Sequence, residues 1–371
     1  MGGGPAKDTL LCLLPMPEPA GLLDALQKKF PHLDTIYKQV PSGWTSSSSS
    51  PATVQEIPSH TWATVTILIT LFTFPLPSAA PKLSLIHLIS AGSNQIQSHP
   101  LYTSTEIPIT TSNGAFGPQI AEWVVMTGLA ISHHFPVLQS LQRSHSWGSP
   151  DPSLRREYTR VRSWVGRRVG ILGYGNIGRQ VGNVVKAMGA QVIAYTATPK
   201  DSAEQRRDHG FTVPGTGDPL GTNPVAWFSG LGKEGLHGFL GQRLDWLVVA
   251  VPLTDETRGF LDEEAFRILS EGGKREVFVS NVARGAVIDQ QAMIGALKKG
   301  WLAGAALDVT DPEPLPEESE LWDLKNVVVT PHVSGFDEAC LGRSFEILAI
   351  NLERREKGER LMNVVQRSRG Y

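Results

Sequence analysis

Three short motifs in the second half of the 371-residue chain carry side chains suited to proton-coupled reduction of a carbonyl. They are Ser280-Asn281-Val282-Ala283-Arg284-Gly285, Leu307-Asp308-Val309-Thr310-Asp311-Pro312-Glu313-Pro314 and Thr330-Pro331-His332-Val333-Ser334-Gly335. Taken singly, an arginine before glycine is usually a solvated charge, a glutamate between prolines is usually loop surface, and a lone histidine is usually structural. Taken together they supply what reduction of a 2-keto acid requires, namely a proton donor for the carbonyl oxygen and a fixed cation for the carboxylate beside it. Histidine titrates near neutral pH, and a neighbouring carboxylate fixes its ring and favours its charged form. Arginine can hold a carboxylate and a carbonyl oxygen at once. Arg284, Glu313 and His332 are therefore the candidate catalytic set, with Arg284 also binding substrate.

Each motif follows an apolar run, at 277–280, 303–309 and 327–330, and further runs of this kind lie at 168–172, 191–195 and 247–251. Helix-compatible segments separate them, the clearest at 290–299. Alternating strands and helices predict a doubly wound parallel sheet, and such sheets bind ligands just beyond the carboxyl ends of their strands. The stretch GRRVGILGYGNIGR at 166–179 contains a G-x-G-x-x-G placed directly after a strand and before a helix through Val181, Val184, Val185 and Met188. In that context Gly173 makes the turn, Gly175 admits a pyrophosphate and Gly178 lets helix and strand pack closely. The free N–H groups at the helix start favour phosphate charge, so Gly173, Tyr174, Gly175, Asn176, Ile177 and Gly178 form the candidate dinucleotide seat. The next strand runs out as Tyr195-Thr196-Ala197-Thr198-Pro199-Lys200, with no acid at its tip. Without that carboxylate a ribose 2′-phosphate is not repelled, and Thr196, Thr198 and Lys200 could donate to it, which favours NADP. Asp201 or Glu204 folding back would restore NAD.

The rest of the chain bounds the reading. Hydrophobic residues make up 41 % and charged residues 19 %, and the net charge is -2. This composition is globular and supplies no field for gathering nucleic acid or an anionic membrane. The length implies two domains. The two cysteines, Cys12 and Cys340, form neither a disulfide framework nor a metal-spaced cluster, which fits a reducing compartment and no metal. The Met1-Gly2-Gly3-Gly4 start and the apolar run 10–14 fit neither a myristoylation signal nor a leader, since Ala6 stands where Ser or Thr is needed and Pro15 breaks the run. The run 62–74 is too short to span a bilayer, so a cytoplasmic chain without membrane contact is expected.

Residues 41–59, with the serine run Ser46–Ser50, read as a solvated loop. Strands are expected at 65–71 and 83–89, the second ending in Ser90-Ala91-Gly92-Ser93-Asn94, a candidate ligand loop. A helix at 120–131, apolar on nearly every side, is expected to be buried. Residues 143–164 are polar and Arg-rich, a solvated face. Residues 210–241, crowded with Gly and Pro, read as a long surface insertion.

The order of these motifs resembles the D-isomer-specific 2-hydroxyacid dehydrogenase family, whose members include glyoxylate/hydroxypyruvate reductases. The likeness spans about residues 80 to 340 and rests on Ser90–Asn94, Ala121-Glu122, the turn 173–178, Val251-Pro252-Leu253-Thr254-Asp255-Glu256-Thr257-Arg258-Gly259 and the three polar motifs. The resemblance implies that Arg284 binds substrate, that Glu313 pairs with His332 and that His332 is the general acid/base. It implies that Val251, Pro252, Thr257, Ala283 and Asp308 contact the cofactor, the last three at the nicotinamide. It also implies that backbone N–H groups around Ala91 and Gly92 take the substrate carboxylate. The fold it implies is a Rossmann-type domain at 121–335 and a discontinuous flavodoxin-like α/β substrate domain from 1–120 and 336–371, usually in a homodimer. The expected activity is NAD(P)-dependent reduction of a small 2-keto acid such as glyoxylate or hydroxypyruvate. Corepressor-like relatives that sense the cofactor on the same fold are the alternative. Two departures stand out: Thr196 replaces the family's acid, and the 210–241 region is longer than usual.

Overall fold

A computed structural model describes residues 7–41 and 54–371, so the serine run and the first residues lie outside what is described. The chain separates into two compact units, 1–116 with 337–371, and 117–336. Both are α/β units built on parallel sheets.

The first unit contains β1 (Asp8–Leu14), β2 (Leu33–Gln39), β3 (Ile67–Thr70), β4 (Leu85–Leu88) and β5 (Ile109–Thr111). They pair in parallel in the order β2-β1-β3-β4-β5, which is the flavodoxin order. The apolar run 10–14 is the inner part of β1 and is fully buried. Alternation along the strands sends successive side chains to opposite faces. Leu11, Leu13, Leu68 and Ile86 pack with Trp62 and Phe74 on one face. On the other face Leu10, Cys12, Leu14, Ile67 and Ile69 pack with Leu23 and Leu26 of the helix Ala20–Lys29, and with Phe345, Leu348 and Leu352 of the helix Cys340–Glu356. Both cysteines are free thiols. Most of the expected 41–59 loop lies outside the described residues, and a short helix begins at Ser59.

The second unit contains β6 (Arg168–Leu172), β7 (Gln191–Thr196), β8 (Pro224–Ser229), β9 (Trp246–Val249), β10 (Val277–Asn281), β11 (Leu302–Leu307) and β12 (Val327–Val329). The order β12-β11-β10-β9-β6-β7-β8, all parallel, is doubly wound. Its direction reverses between β6 and β9, the switch point at which such sheets take ligands.

The reading of 210–241 as a surface insertion is corrected. Only 207–223 is loop; residues beyond it form β8, in register with β7 from Ile193↔Ala226 to Thr196↔Ser229, and the helix Lys233–Leu240. Leu236, Phe239 and Leu240 of that helix are buried in the main core. The glycine density misled because it marks turns around short elements: Gly215, Gly217, Gly221 and Gly230 all have positive φ, where glycine carries no steric cost.

The helix expected from residue 120 begins at Gly117 and runs to Ser132. It buries Ile120, Ala121, Trp123 and Val124, while Met126 is exposed. Gly128 is pressed on Trp246, where a Cβ would fall 2.4 Å from the ring. The Arg-rich 143–164 stretch contains the helix Pro152–Thr159, which buries no side chain.

Candidate active site

The glycine turn joins β6 to the helix Asn176–Ala187. Gly173 has φ +101, and a Cβ there would meet the Ala250 carbonyl carbon at 2.6 Å, at the end of β9. A Cβ on Gly178 would fall 2.2 Å from the Gly173 oxygen. Gly175 differs: it is exposed, and nothing lies within 4 Å of where its Cβ would be. Gly175 is also the N-cap of the helix Asn176–Ala187, whose first N–H groups receive no side-chain cap from it. These donors have no intrahelical partner and suit a pyrophosphate. The turn therefore fits a dinucleotide.

Tyr174 does not line that opening with its ring. The side chain is buried, and its hydroxyl donates to Asp218 Oδ2 at 2.9 Å. Asn176 donates through Nδ2 to the Phe211 carbonyl at 3.0 Å, and Ile177 is half-buried. At the tip of β7, the Thr196 hydroxyl donates to the Thr198 carbonyl at 2.8 Å. Its hydrogen is therefore directed along the loop, although the oxygen keeps its accepting capacity.

After β9, the half-buried Val251 and exposed Pro252 are held by Thr257. The buried Thr257 hydroxyl donates to the Pro252 carbonyl at 2.7 Å and accepts from the Thr254 N–H at 2.8 Å. After β10, Asn281 shapes the next turn. Its Oδ1 accepts from the Ala283 N–H at 3.0 Å and its Nδ2 donates to the Arg284 carbonyl at 3.2 Å. Ala283 is buried. Arg284 is half-buried, its Nη1 donating to the Ala283 carbonyl at 2.7 Å. Burial holds its guanidinium below the ordinary value, and the charge of Glu313 opposes that shift. It remains charged throughout any working pH.

Glu313 and His332 meet at 2.6 Å, carboxylate Oε1 to ring Nδ1. Burial alone would raise the Glu313 carboxyl. The hydrogen bond and charge of His332, a backbone hydrogen bond at Thr310 and the charge of Arg284 outweigh it and hold the group below the usual carboxylate range. Arg284 is thus near enough to act on Glu313 electrostatically. The contact is made through Nδ1 of the ring.

The backbone at His332 has φ 55, the left-handed region, which bulky residues seldom adopt. Asp308 imposes it. Its Oδ1 accepts from the Thr330 hydroxyl at 2.6 Å and the Val333 N–H at 2.9 Å, and its Oδ2 from the N–H of Ser334 at 2.9 Å and from the Ser334 hydroxyl. The His332 N–H donates to the Asp308 carbonyl at 2.9 Å. Buried Asp308 is thus engaged with residues 330–334, whatever it presents to a cofactor. Gln119, near the start of the helix Gly117–Ser132, donates to the Gly335 carbonyl at 3.0 Å and closes the turn.

Sequence reasoning missed Asn281 and Thr330 as supports of this site. Their only signal is that each polar residue stands at a strand end just before a catalytic candidate. Ala91 and Gly92 lie in the first unit, in the turn after β4, where the Ser90 hydroxyl donates to the Gly92 carbonyl at 2.7 Å and accepts from Gln95 at 2.7 Å. Among the described residues no group of three His, Cys, Asp or Glu is placed to hold a metal ion, and no helix is long and apolar enough to cross a membrane.

Residues 125–216 and 230–334 match the NAD binding domain of D-isomer specific 2-hydroxyacid dehydrogenases. A glyoxylate reductase from Thermococcus litoralis is 30 % identical over 288 residues, 78 % of each chain. Glyoxylate/hydroxypyruvate reductase A of Salmonella dublin is 30 % identical over 298 residues, 79 % of this chain and 83 % of that one. Among solved structures, a D-isomer specific 2-hydroxyacid dehydrogenase from Xanthobacter autotrophicus in complex with NADPH and MES aligns with TM-score 0.74 at 27 % identity, covering 99 % of this chain and 100 % of that one. The NADPH-dependent glyoxylate/hydroxypyruvate reductase of Sinorhizobium meliloti, in complex with NADP and sulfate, aligns with TM-score 0.72 at 25 % identity, covering 98 % and 100 %. With that family model matched over 125–216 and 230–334 and relatives 30 % identical over more than three quarters of the chain, this oxidoreductase belongs to the D-isomer specific 2-hydroxyacid dehydrogenase family.

Proposed function

We propose that the enzyme reduces a small 2-keto acid, glyoxylate or hydroxypyruvate, with His332 as the general acid. The observation that carries this reading is the 2.6 Å contact between Glu313 and His332 Nδ1, which supports Nε2 as the nitrogen that serves the substrate. A reduced nicotinamide, when bound, supplies the hydride. Arg284 holds the substrate carboxylate and polarises the carbonyl oxygen. His332 passes the Nε2 proton to that oxygen as negative charge develops there, and Glu313 keeps the charged ring in place before transfer. In the reverse direction His332 accepts the hydroxyl proton.

NADP is the preferred cofactor on this reading, supported by the missing acid at Thr196 and by the NADPH and NADP found in the Xanthobacter and Sinorhizobium structures. Two free cysteines fit a cytoplasmic enzyme, and the family resemblance points to a homodimer.

The test is a panel of 2-keto acids offered with NADPH and with NADH, following cofactor oxidation. Turnover of glyoxylate or hydroxypyruvate is expected, abolished in His332→Ala with cofactor binding retained. Binding of cofactor without turnover of any 2-keto acid would replace this reading with that of a cofactor-sensing binding protein.

A further inference from the structure

The loop 207–223 runs along one side of the helix that follows the glycine turn. The Phe211 carbonyl accepts from Asn176, the Gly217 N–H donates to Gln180, and Asn223 accepts from Lys186 at 3.0 Å and donates to Asn183 at 3.4 Å. Positions 176, 180, 183 and 186 recur at the helical spacing of one face. The loop is therefore a strap fastened at several points.

Asp218, 3 % exposed, is its central fastening. Its Oδ1 accepts from the Thr222 N–H at 2.9 Å, and its Oδ2 from the Asn223 N–H at 3.0 Å and the Tyr174 hydroxyl at 2.9 Å. Burial, then the charge of Asp218 and the hydrogen bond to it, push the Tyr174 hydroxyl far above its ordinary range, so it stays a donor. Arg179, also buried, donates through Nη1 to the Asp218 carbonyl and through Nη2 to the Arg206 carbonyl at 2.6 Å, and its Nε lies 3.6 Å from Asp208 Oδ2. Arg206 in turn donates through Nε to the Lys200 carbonyl at 2.8 Å. Gly221, with φ +67, packs so closely on this point that a Cβ would fall 2.5 Å from the Arg206 oxygen. One connected set of bonds thus runs from the middle of the glycine turn to the loop beyond Thr196.

We propose that Asp218 is a positioning residue for the dinucleotide: through Tyr174 and Arg179 it fixes the spacing between the pyrophosphate turn and the segment 197–206, which ends in the short helix Ala203–Arg206, at the ribose end. This rests on cofactor binding at the turn. A bound dinucleotide must satisfy both places at once, so a slack connection costs affinity before it costs chemistry. The cost falls more heavily on NADPH, whose extra phosphate lies at the loop end.

The experiment measures NADPH and NADH affinity by fluorescence titration, with steady-state kinetics, for the full-length wild type, Asp218→Asn, Tyr174→Phe and the double variant. For Asp218→Asn the expected result is a rise of about tenfold in the NADPH dissociation constant, the scale of one lost charge-assisted hydrogen bond. A smaller rise is expected for NADH, with kcat at saturating cofactor and KM for the keto acid within about twofold of wild type. The double variant should lose less than the sum of the two single losses, because the Tyr174–Asp218 bond is common to both, while Asp218→Asn also disturbs the bonds from the Thr222 and Asn223 N–H groups. Should Asp218→Asn not fold, Tyr174→Phe, which removes one oxygen, decides alone. Folded variants that bind both cofactors like the wild type, or that lose kcat and cofactor affinity together, overturn the proposal. A wild type that binds neither dinucleotide overturns the cofactor reading with it, so the two failures are told apart.

Discussion

The Glu313 carboxylate stands 2.6 Å from Nδ1 of His332, although the two residues come from loops after different strands. In the proposed mechanism this pair sets which ring nitrogen serves the substrate, so its removal is the most direct probe of that proposal. Glu313→Gln keeps the size of the side chain but not its charge, and kcat for reduction is expected to fall about a hundredfold. The NADPH dissociation constant should stay near wild type. A kcat close to wild type would show that His332 does not need the carboxylate.

The glycine turn permits a paired test in which one variant fails by folding and the other by binding. Gly178→Ala drives a methyl group to within 2.2 Å of the Gly173 oxygen, an overpacking expected to cost about 3 kcal/mol or more. Gly175→Ala meets nothing within 4 Å, so its melting temperature should match wild type. Its methyl group occupies the space left for the pyrophosphate, and cofactor affinity should drop about tenfold or more. Equal cofactor affinity in Gly175→Ala would remove the turn as the phosphate seat.

At the tip of β7 the substitution Thr196→Asp restores a carboxylate that can accept from ribose hydroxyls and repel a 2′-phosphate. The ratio of kcat/KM for NADPH over NADH is expected to fall about tenfold or more. An unchanged or higher ratio would contradict the role given to this position.

His87 on β4 is expected to make the first unit less stable in acid. It is 1 % exposed, with Nδ1 2.9 Å from the Thr110 hydroxyl and Nε2 3.2 Å from that of Ser112. Burial, opposed by a backbone hydrogen bond at Ser344, pushes its pKa down to about 4 from an ordinary 6.5. Between those values the unfolded chain binds a proton that the folded chain refuses, so stability falls as pH drops from 6.5 toward 4. The full loss is about 3 kcal/mol. Denaturant titrations at pH 7 and pH 5 should show this decline in the wild type and much less of it in His87→Gln. The same slope in both proteins would assign the decline to other groups.

Much of this architecture was legible in the residues, for reasons that differ by element. The strands around the site announce themselves because β10, β11 and β12 are short apolar runs ending in polar motifs, and a parallel sheet buried on both faces demands such runs. β8 hid because Pro224 opens it and glycines crowd both its ends. β5, only three residues long, is shorter than any period can reveal. Arg284, Glu313 and His332 become candidates only together, because each polar motif follows an apolar run. The bracing by Asp308 and Asn281 could not be read in this way, because a carboxylate's or amide's partners are set by where the chain returns in space. The left-handed backbone of His332 left no trace in the sequence, since glycine, the residue that usually signals it, is absent there.

The divided first unit has a consequence for how the protein is made. One face of its sheet, with Leu10, Cys12, Leu14, Ile67 and Ile69, is completed by Phe345, Leu348 and Leu352, which leave the ribosome only after the entire second unit. The second unit, continuous from 117 to 336, can close while the nascent first sheet still shows uncovered apolar surface. Until the helix Cys340–Glu356 is made, a growing chain therefore exposes an apolar sheet face of the kind that makes folding intermediates prone to aggregate.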